Sequence, residues 1–417
     1  MSVPLRPDVL VVGAGPAGLA VTLALQCRSQ QRPVVVDPAG RWLAAWQRRF
    51  AFQDIEVLRS PVVHHPHPDP FALLAAGQEG LVRSGGTSLP TTARFAAFCE
   101  RLIDEAGLWD TVVARTVRGL WLGSGGAPTV LLGDGRTLHP RRVVLATNAR
   151  EPVVPEPFDG ARGDERVRLG EHVDVRRVLP WAHVVVVGGG LSAAHLAVGA
   201  ARRGATVTLV ARRAMRVRRF DVHPTWLGPK KLRPFQREPD PDVRRRQIDT
   251  ARGGGSIPAR MRRALETCEQ AGSLQLRERV EVTDVNEGDL RLRLGLSDGT
   301  IVRADEVWLA TGGRLDVARD PLCAALVAGD TTSLHDGLPE LDEDLRWPGT
   351  DVHLTGFAAA LRLGPTAGNL IGHRRAALRI TASLCGEDPV RADRIRTGTA
   401  ACPQATSHGE VTGARAR

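Results

Sequence analysis

The stretch "VVVVGGGLSAAHLAVGAARRGATVTLVARR" occupies residues 184–213, and its reading decides the fold. Four valines run without a polar break, as in a strand buried on both faces. Gly188-Gly189-Gly190-Leu191-Ser192-Ala193 follows as a GxGxxA turn, then an alanine-rich helix from Ala194 to Arg203 that stops at Gly204. A second apolar strand, Thr206 to Val210, comes next. Strand, glycine turn, helix and strand in this order form a dinucleotide-binding unit. The first glycine makes the tight turn and the second lets a pyrophosphate approach the backbone. A small third residue lets helix and strand pack closely, and the helix N-terminus offers free N–H groups to the phosphates.

The chain begins with the same plan. Val9 to Val12 reads as a strand, Gly13-Ala14-Gly15-Pro16-Ala17-Gly18 as GxGxxG, and an apolar helix runs to about Arg28. The strand Val34 to Val36 then ends at Asp37. The two units differ at this last position. A carboxylate such as Asp37 accepts hydrogen bonds from ribose hydroxyls, whereas the second unit offers Arg212 and Arg213. A carboxylate there would repel a 2′-phosphate, and arginine binds one in charge-assisted pairs. The first unit therefore reads as an FAD-type site and the second as an NADPH-type site.

The duplication extends further. "GDGRTLHPRRVVLATN" (133–148) aligns with "SDGTIVRADEVWLATG" (297–312), with the same spacing from Asp134 to Ala146 as from Asp298 to Ala310. Asp-Gly between β-prone runs predicts a hairpin, and the apolar run after it a return strand to the parallel sheet. The fold is therefore read as α/β, with two Rossmann-like dinucleotide-binding domains, the second inserted into the first. The boundaries expected are 1–155 with 310–395 for the FAD-binding domain and 156–309 for the NADPH-binding domain, with a disordered tail at 397–417.

Composition narrows the classes. The 417 residues suffice for two or three domains. The net charge of +10 is almost all arginine, and tyrosine is absent. A composition bias explains that charge without nucleic acid. The six cysteines form no CxxC pair, which argues against a zinc site or a dithiol centre and for a reduced, cytoplasmic setting. The apolar run from Val9 to Leu25 is interrupted by Gly13, Gly15, Pro16 and Gly18, so it reads as neither signal peptide nor membrane span.

On these residues the chain resembles the two-dinucleotide-binding flavoproteins, most nearly the flavin-containing monooxygenases and the microbial N-hydroxylating monooxygenases of lysine and ornithine. The resemblance spans about residues 7 to 385. It implies FAD on Gly13, Gly15, Pro16, Ala17, Gly18 and Asp37, with Trp46, Val117 and Thr147 as further FAD contacts. It implies NADPH on Gly188, Gly190, Leu191 and Ser192, with Arg212 and Arg213 clamping the phosphate. Thr311 takes the matching place in the second half. "TGFAAALRLGPTAGNLIG" (355–372) resembles the C-terminal flavin segment, which implies Gly356, Leu363, Gly364 and Thr366 near the ring. Two departures stand out. Asn148 replaces the glycine of Ala-Thr-Gly, and Phe357 follows Gly356 where disulfide-reductase relatives keep an acid.

The resemblance further implies a C4a-hydroperoxyflavin that transfers one oxygen atom from O2 to a small-molecule substrate, by N-hydroxylation or heteroatom oxidation. An oxidoreductase passing electrons to a ferredoxin or other acceptor is the alternative. A non-catalytic nucleotide sensor that kept both folds is a second rival, and a simple FAD-dependent dehydrogenase, which needs no second site, explains less.

Other segments carry weaker signals. "LRSPVVHHPHPDPFALL" (58–74) reads as a proline-stiffened loop covering the flavin, with His64 and His65 as candidate catalytic or pocket residues. An ordinary loop and a metal site rank after that. The basic block 212–246 reads as a solvated insertion, and "ARGGGSIPARM" (251–261) as a hinge or an ordinary glycine loop.

Overall fold

A computed structural model describes residues 4–147, 150–287 and 290–394. Asn148 and the tail 397–417 lie outside them. Two five-stranded parallel sheets form the frame. In the first, the order is Val352–Leu354, Arg142–Leu145, Val9–Val12, Val34–Asp37 and Val112–Ala114. In the second, it is Val167–Leu169, Glu306–Leu309, His183–Val187, Thr206–Ala211 and Leu274–Glu278. Both glycine turns follow the middle strand of their sheet, so each opens at the carboxyl ends of the strands, where α/β folds bind ligands.

The sequence accounts for these elements. The valine runs are buried along their whole length because both faces of each parallel sheet are covered: in the second, Val184 and Val186 face helices and Val185 and Val187 face the antiparallel strands Val282–Glu287, Leu292–Leu296 and Ile301–Ala304. The helix Pro16–Ser29 has Pro16 in its first position, where no N–H is needed. It packs between the first sheet and the long helix Leu370–Leu384. Both Asp-Gly hairpins form as expected. Pro128–Leu132 pairs antiparallel with Thr137–Leu138, and Leu292–Leu296 with Ile301–Ala304. Their aspartates cap the turns, Asp134 accepting from the Arg136 N–H (3.2 Å) and Asp298 from the Thr300 N–H (3.0 Å). The chain crosses between the two sheets along a short antiparallel pair, Glu151–Pro152 with Gly313–Arg314.

The basic block corrects the sequence reading. It is not a solvated insertion. Helices Pro229–Arg237 and Pro241–Arg252 bury Leu232, Phe235 and Ile248, and Trp226 meets the Phe235 ring edge-on at 5.7 Å. Arg244, nearly fully buried, donates to the Leu361 carbonyl (3.0 Å) and pairs with Glu340 (2.8 Å). Apolar side chains spaced for one helical face outweigh the charges between them, because the other charges point away from the buried stripe and Arg244, which shares it with Ile248, is paired.

Candidate dinucleotide and flavin sites

In the first turn each glycine has its own reason. Gly13 has φ +107°, and a Cβ there would stand 2.9 Å from the Ala146 carbonyl oxygen. A Cβ on Gly18 would lie 2.0 Å from the Gly13 oxygen, so helix and strand could not close. Outside Gly15, by contrast, nothing lies within 4 Å. That opening, backed by the helix N-terminus at Pro16 and Ala17, fits a pyrophosphate. Asp37 accepts from the Ala14 N–H (3.0 Å) and the Ala39 N–H (2.9 Å). Its oxygens tie the strand end to the turn and keep lone pairs for a ribose. Thr147 follows the Arg142–Leu145 strand and is exposed beside this turn, and Val117 opens the neighbouring strand Val117–Leu122. Trp46 stacks on Phe50 (4.1 Å) and tilts against Phe95 (5.0 Å), so the structure shows it in an aromatic cluster.

The second turn has the same skeleton. Gly188 has φ +150°, and a Cβ there would stand 2.4 Å from the Ala310 oxygen. Gly190 precedes the helix Leu191–Ala201, whose first residues, Leu191 and Ser192, are half-buried. Arg212 and Arg213 are exposed just past the strand Thr206–Ala211, and neither meets a carboxylate among the described residues. Two unpaired guanidiniums at this strand end suit a 2′-phosphate. Thr311 instead donates its hydroxyl to the Val153 carbonyl, at the crossing between the sheets.

The C-terminal segment turns at Gly356 (φ +67°) and again at Gly364 (φ +79°), then enters the helix Leu370–Leu384. Leu363 is buried in this segment. Thr366 is 1% exposed, and its hydroxyl oxygen has no partner in the protein, which fits a group facing a bound cofactor. Residues the sequence reading missed surround this segment. Phe357 carries the guanidiniums of Arg150 (4.0 Å) and Arg252 (4.2 Å) on its ring. Arg252 donates to the Pro365 carbonyl (2.8 Å) and pairs with Asp221 (3.3 Å). The Asn369 amide donates to both Asp221 oxygens (3.2 Å each). Burial lowers Arg150 to about 10, with Arg252 and Arg49 adding repulsion and Asp221 opposing. Burial also lowers Arg252, again against Asp221, and takes the enclosed His373 down to about 4. Only Asn369, at the start of a helix, left a readable signal; the others come from distant parts of the chain.

In the histidine loop, His65 takes a different place from the one expected. His65 is fully buried, its ring edge-on to Phe98 (4.9 Å), with Nε2 3.2 Å from the Pro70 carbonyl oxygen. Enclosed in this way it holds the loop together and lines no pocket. His64 is 5% exposed and lies near Arg374 and Arg375 of the long helix. Burial first, then Arg374, holds both histidines at about 3, so both are neutral at physiological pH. Arg59, in the same loop, reaches across to the second unit. It donates to the carbonyls of Arg218 (2.8 Å), Arg219 (3.1 Å) and Ser256 (2.9 Å) and to the Ser256 hydroxyl (2.9 Å). Burial lowers Arg59 to about 10. Elsewhere, burial pushes up the Cys99 and Cys323 thiols, so neither is poised as a thiolate.

Residues 7–223 match the family described as pyridine nucleotide-disulphide oxidoreductase. The chain belongs to that family. It is therefore a flavin-dependent oxidoreductase that uses a pyridine nucleotide. No curated protein sequence matches. Among solved structures, the fold is similar to the ornithine hydroxylase of Pseudomonas aeruginosa, with a TM-score of 0.72 at 17% identity over 91% of this chain and 98% of that one. It is also similar to the ornithine N-hydroxylase of Kutzneria sp. 744, solved with reduced FAD, NADP+ and L-ornithine, with a TM-score of 0.74 at 16% identity over 91% and 99%. A bacillithiol disulfide reductase of Bacillus cereus gives 0.58 at 17% identity over 91% and 99%. At these identities the likeness concerns the fold. Among the described residues, no helix is long and apolar enough to cross a membrane, and no group of three or more His, Cys, Asp and Glu is placed to hold a metal.

Proposed function

We propose that this protein is an NADPH-dependent flavin monooxygenase that places one oxygen atom from O2 on a heteroatom of a small molecule, with an amine nitrogen as the first choice. FAD belongs on the first turn and NADPH on the second, which divides the chain into 1–155 with 310–395 and 156–309. Bound flavin supplies hydride acceptance and dioxygen activation; the protein's part is to bind, orient and exclude water.

The observation that carries this reading is the wall around Gly364–Thr366. It presents Phe357, Arg150, Arg252, Asp221 and Asn369, and no thiol stands among them. Disulfide exchange needs a thiolate. An amine instead needs a carboxylate or amide to receive its N–H groups and a cleft that keeps water out. Asp221 and Asn369 supply the acceptors, and Phe357 with its two guanidiniums closes the wall. The fold shared with two ornithine hydroxylases supports the same choice.

The test is a panel of amines and sulfides, with L-ornithine, L-lysine and cadaverine included, assayed under isotopically labelled dioxygen. The expected result is substrate-dependent NADPH oxidation with one labelled oxygen in the product. Full turnover without oxygen, to a ferredoxin or dye, overturns it in favour of an electron-transfer reductase.

A further inference from the structure

Gly190 is the glycine whose missing side chain should leave room for the pyrophosphate. In this structure that room is closed off on its outer side by the chain itself. The Gly255 Cα stands 3.6 Å from the place a Gly190 Cβ would take. The fit is tight in the other direction too, for a Cβ on Gly255 would lie 2.7 Å from the Gly190 Cα and 3.3 Å from the Gly189 oxygen. Residues 252–256 thus form a strap across the mouth of the second turn.

The strap is pinned by arginines. Arg216 donates to the Gly253 carbonyl and to that of Gly254 (3.0 Å). Arg59 holds the Ser256 carbonyl and hydroxyl. At its near end Arg252 reaches Pro365 and Asp221, beside the flavin segment. Arg213, which the arginine–phosphate reading assigns to the 2′-phosphate, also lies on the strap: a Cβ on Gly254 would stand 2.7 Å from its Nη2. Gly253 (φ +54°) and Gly254 (φ +86°) supply the backbone freedom for a second position.

We propose that the strap at residues 252–256 is a cover over the NADPH turn, displaced when the dinucleotide binds, and that its displacement shifts Arg252 at the flavin segment. The pyrophosphate competes with Gly255 for the space outside Gly190, and the 2′-phosphate draws Arg213 from Gly254. Because Arg252 continues directly into the strap, the arrival of the hydride donor changes its hold on Asp221 and Pro365. Such a closed cover reduces apparent affinity by the fraction of molecules that are open.

The experiment uses the FAD-loaded full chain with NADP+ as the probe. Amide hydrogen exchange of a peptide spanning 252–257 is measured with and without NADP+, alongside the dissociation constant from titration. Faster exchange in the complex is expected; unchanged or slower exchange at saturating NADP+ overturns the proposal. Gly255→Ala, which crowds Gly190, is expected to loosen the cover and bind NADP+ about threefold or more tightly, as a larger open fraction requires. Equal or weaker binding by a variant with wild-type FAD content counts against it, and a variant that fails to fold leaves the exchange result on the natural chain to decide. NADP+ that binds while the strap stays put overturns the cover alone. Binding to neither natural chain nor variant removes the cover together with the NADPH assignment of this turn.

Discussion

The two glycine turns share a backbone and differ in what stands in front of them. Outside Gly15 lies open space, while outside Gly190 lies Gly255. Asp37 anchors its carboxylate on the Ala14 and Ala39 amides with lone pairs to spare, while Arg212 and Arg213 stand exposed and, among the described residues, without a carboxylate. The first site is thus built as a standing seat and the second as one reached by exchange. A cofactor that stays and a carrier that comes and goes require that asymmetry, and one motif serves both because the difference sits outside it.

The sharpest way to break the comparison is at the first turn. Gly18→Ala drives a Cβ to 2.0 Å from the Gly13 oxygen, and is expected to cost about 3 kcal/mol or more and to abolish bound FAD. Thermal unfolding and flavin absorbance check both. Gly15→Ala, with open space outside it, is expected to keep its Tm and weaken FAD alone. Equal losses in the two variants would erase the distinction between packing glycine and ligand glycine.

Replacing Arg212 and Arg213 together with alanine is expected to raise the KM for NADPH about 10- to 100-fold, since hydrogen bonds to charged groups contribute about 1.5–3 kcal/mol. KM for NADH should stay within about twofold, because only the 2′-phosphate contact is lost. Parallel losses for both coenzymes would mean that the arginines support the fold instead. Arg59→Gln comes next. It removes donors from carbonyls in the second unit and is expected to lower stability by about 1–2 kcal/mol. Denaturant unfolding measures it, and an unchanged midpoint would mean that water replaces the arginine at those carbonyls.

The smallest effect at neutral pH belongs to the histidines. His64 and His65 sit at about 3 in the folded chain against 6.5 in the unfolded one. Above pH 6.5 both states are neutral and the histidines add no pH dependence. As pH falls below 6.5 the unfolded chain takes protons that the folded chain refuses, so stability declines toward pH 3, by at most about 1.4 kcal/mol per pH unit for each histidine. His64→Gln should flatten part of that decline in a series of Tm against pH and leave the Tm at pH 8 nearly unchanged.

Much of the frame was legible in the sequence, because glycine turns, Asp-Gly hairpins and valine runs act through neighbours a few residues apart. The wall around Thr366 was not. Asp221, Arg252 and Asn369 meet from positions far apart in the chain, and no local pattern marks a carboxylate that will face an amide from another element. The basic block misled because charge density hides an apolar stripe; the spacing of Leu232 and Phe235 on one helix was the available signal. The "GGGS" run invited a hinge, and only the contact between Gly255 and Gly190 shows what it lies on. His65 misled through its type: a histidine beside prolines looked chemical and proved to be filler and strut.

The crossing at Glu151–Pro152 and Gly313–Arg314 has one more consequence. Outgoing and returning chain lie side by side there, so everything between enters and leaves through a single narrow doorway. The unit is nonetheless not free of its host, because Trp226, Leu232, Phe235 and Ile248 share the core of the first sheet and Arg244 reaches the Leu361 carbonyl. Cutting at these two strands alone should therefore bare that apolar stripe, and a transplant of the arginine-bearing half needs the matching surface to receive it.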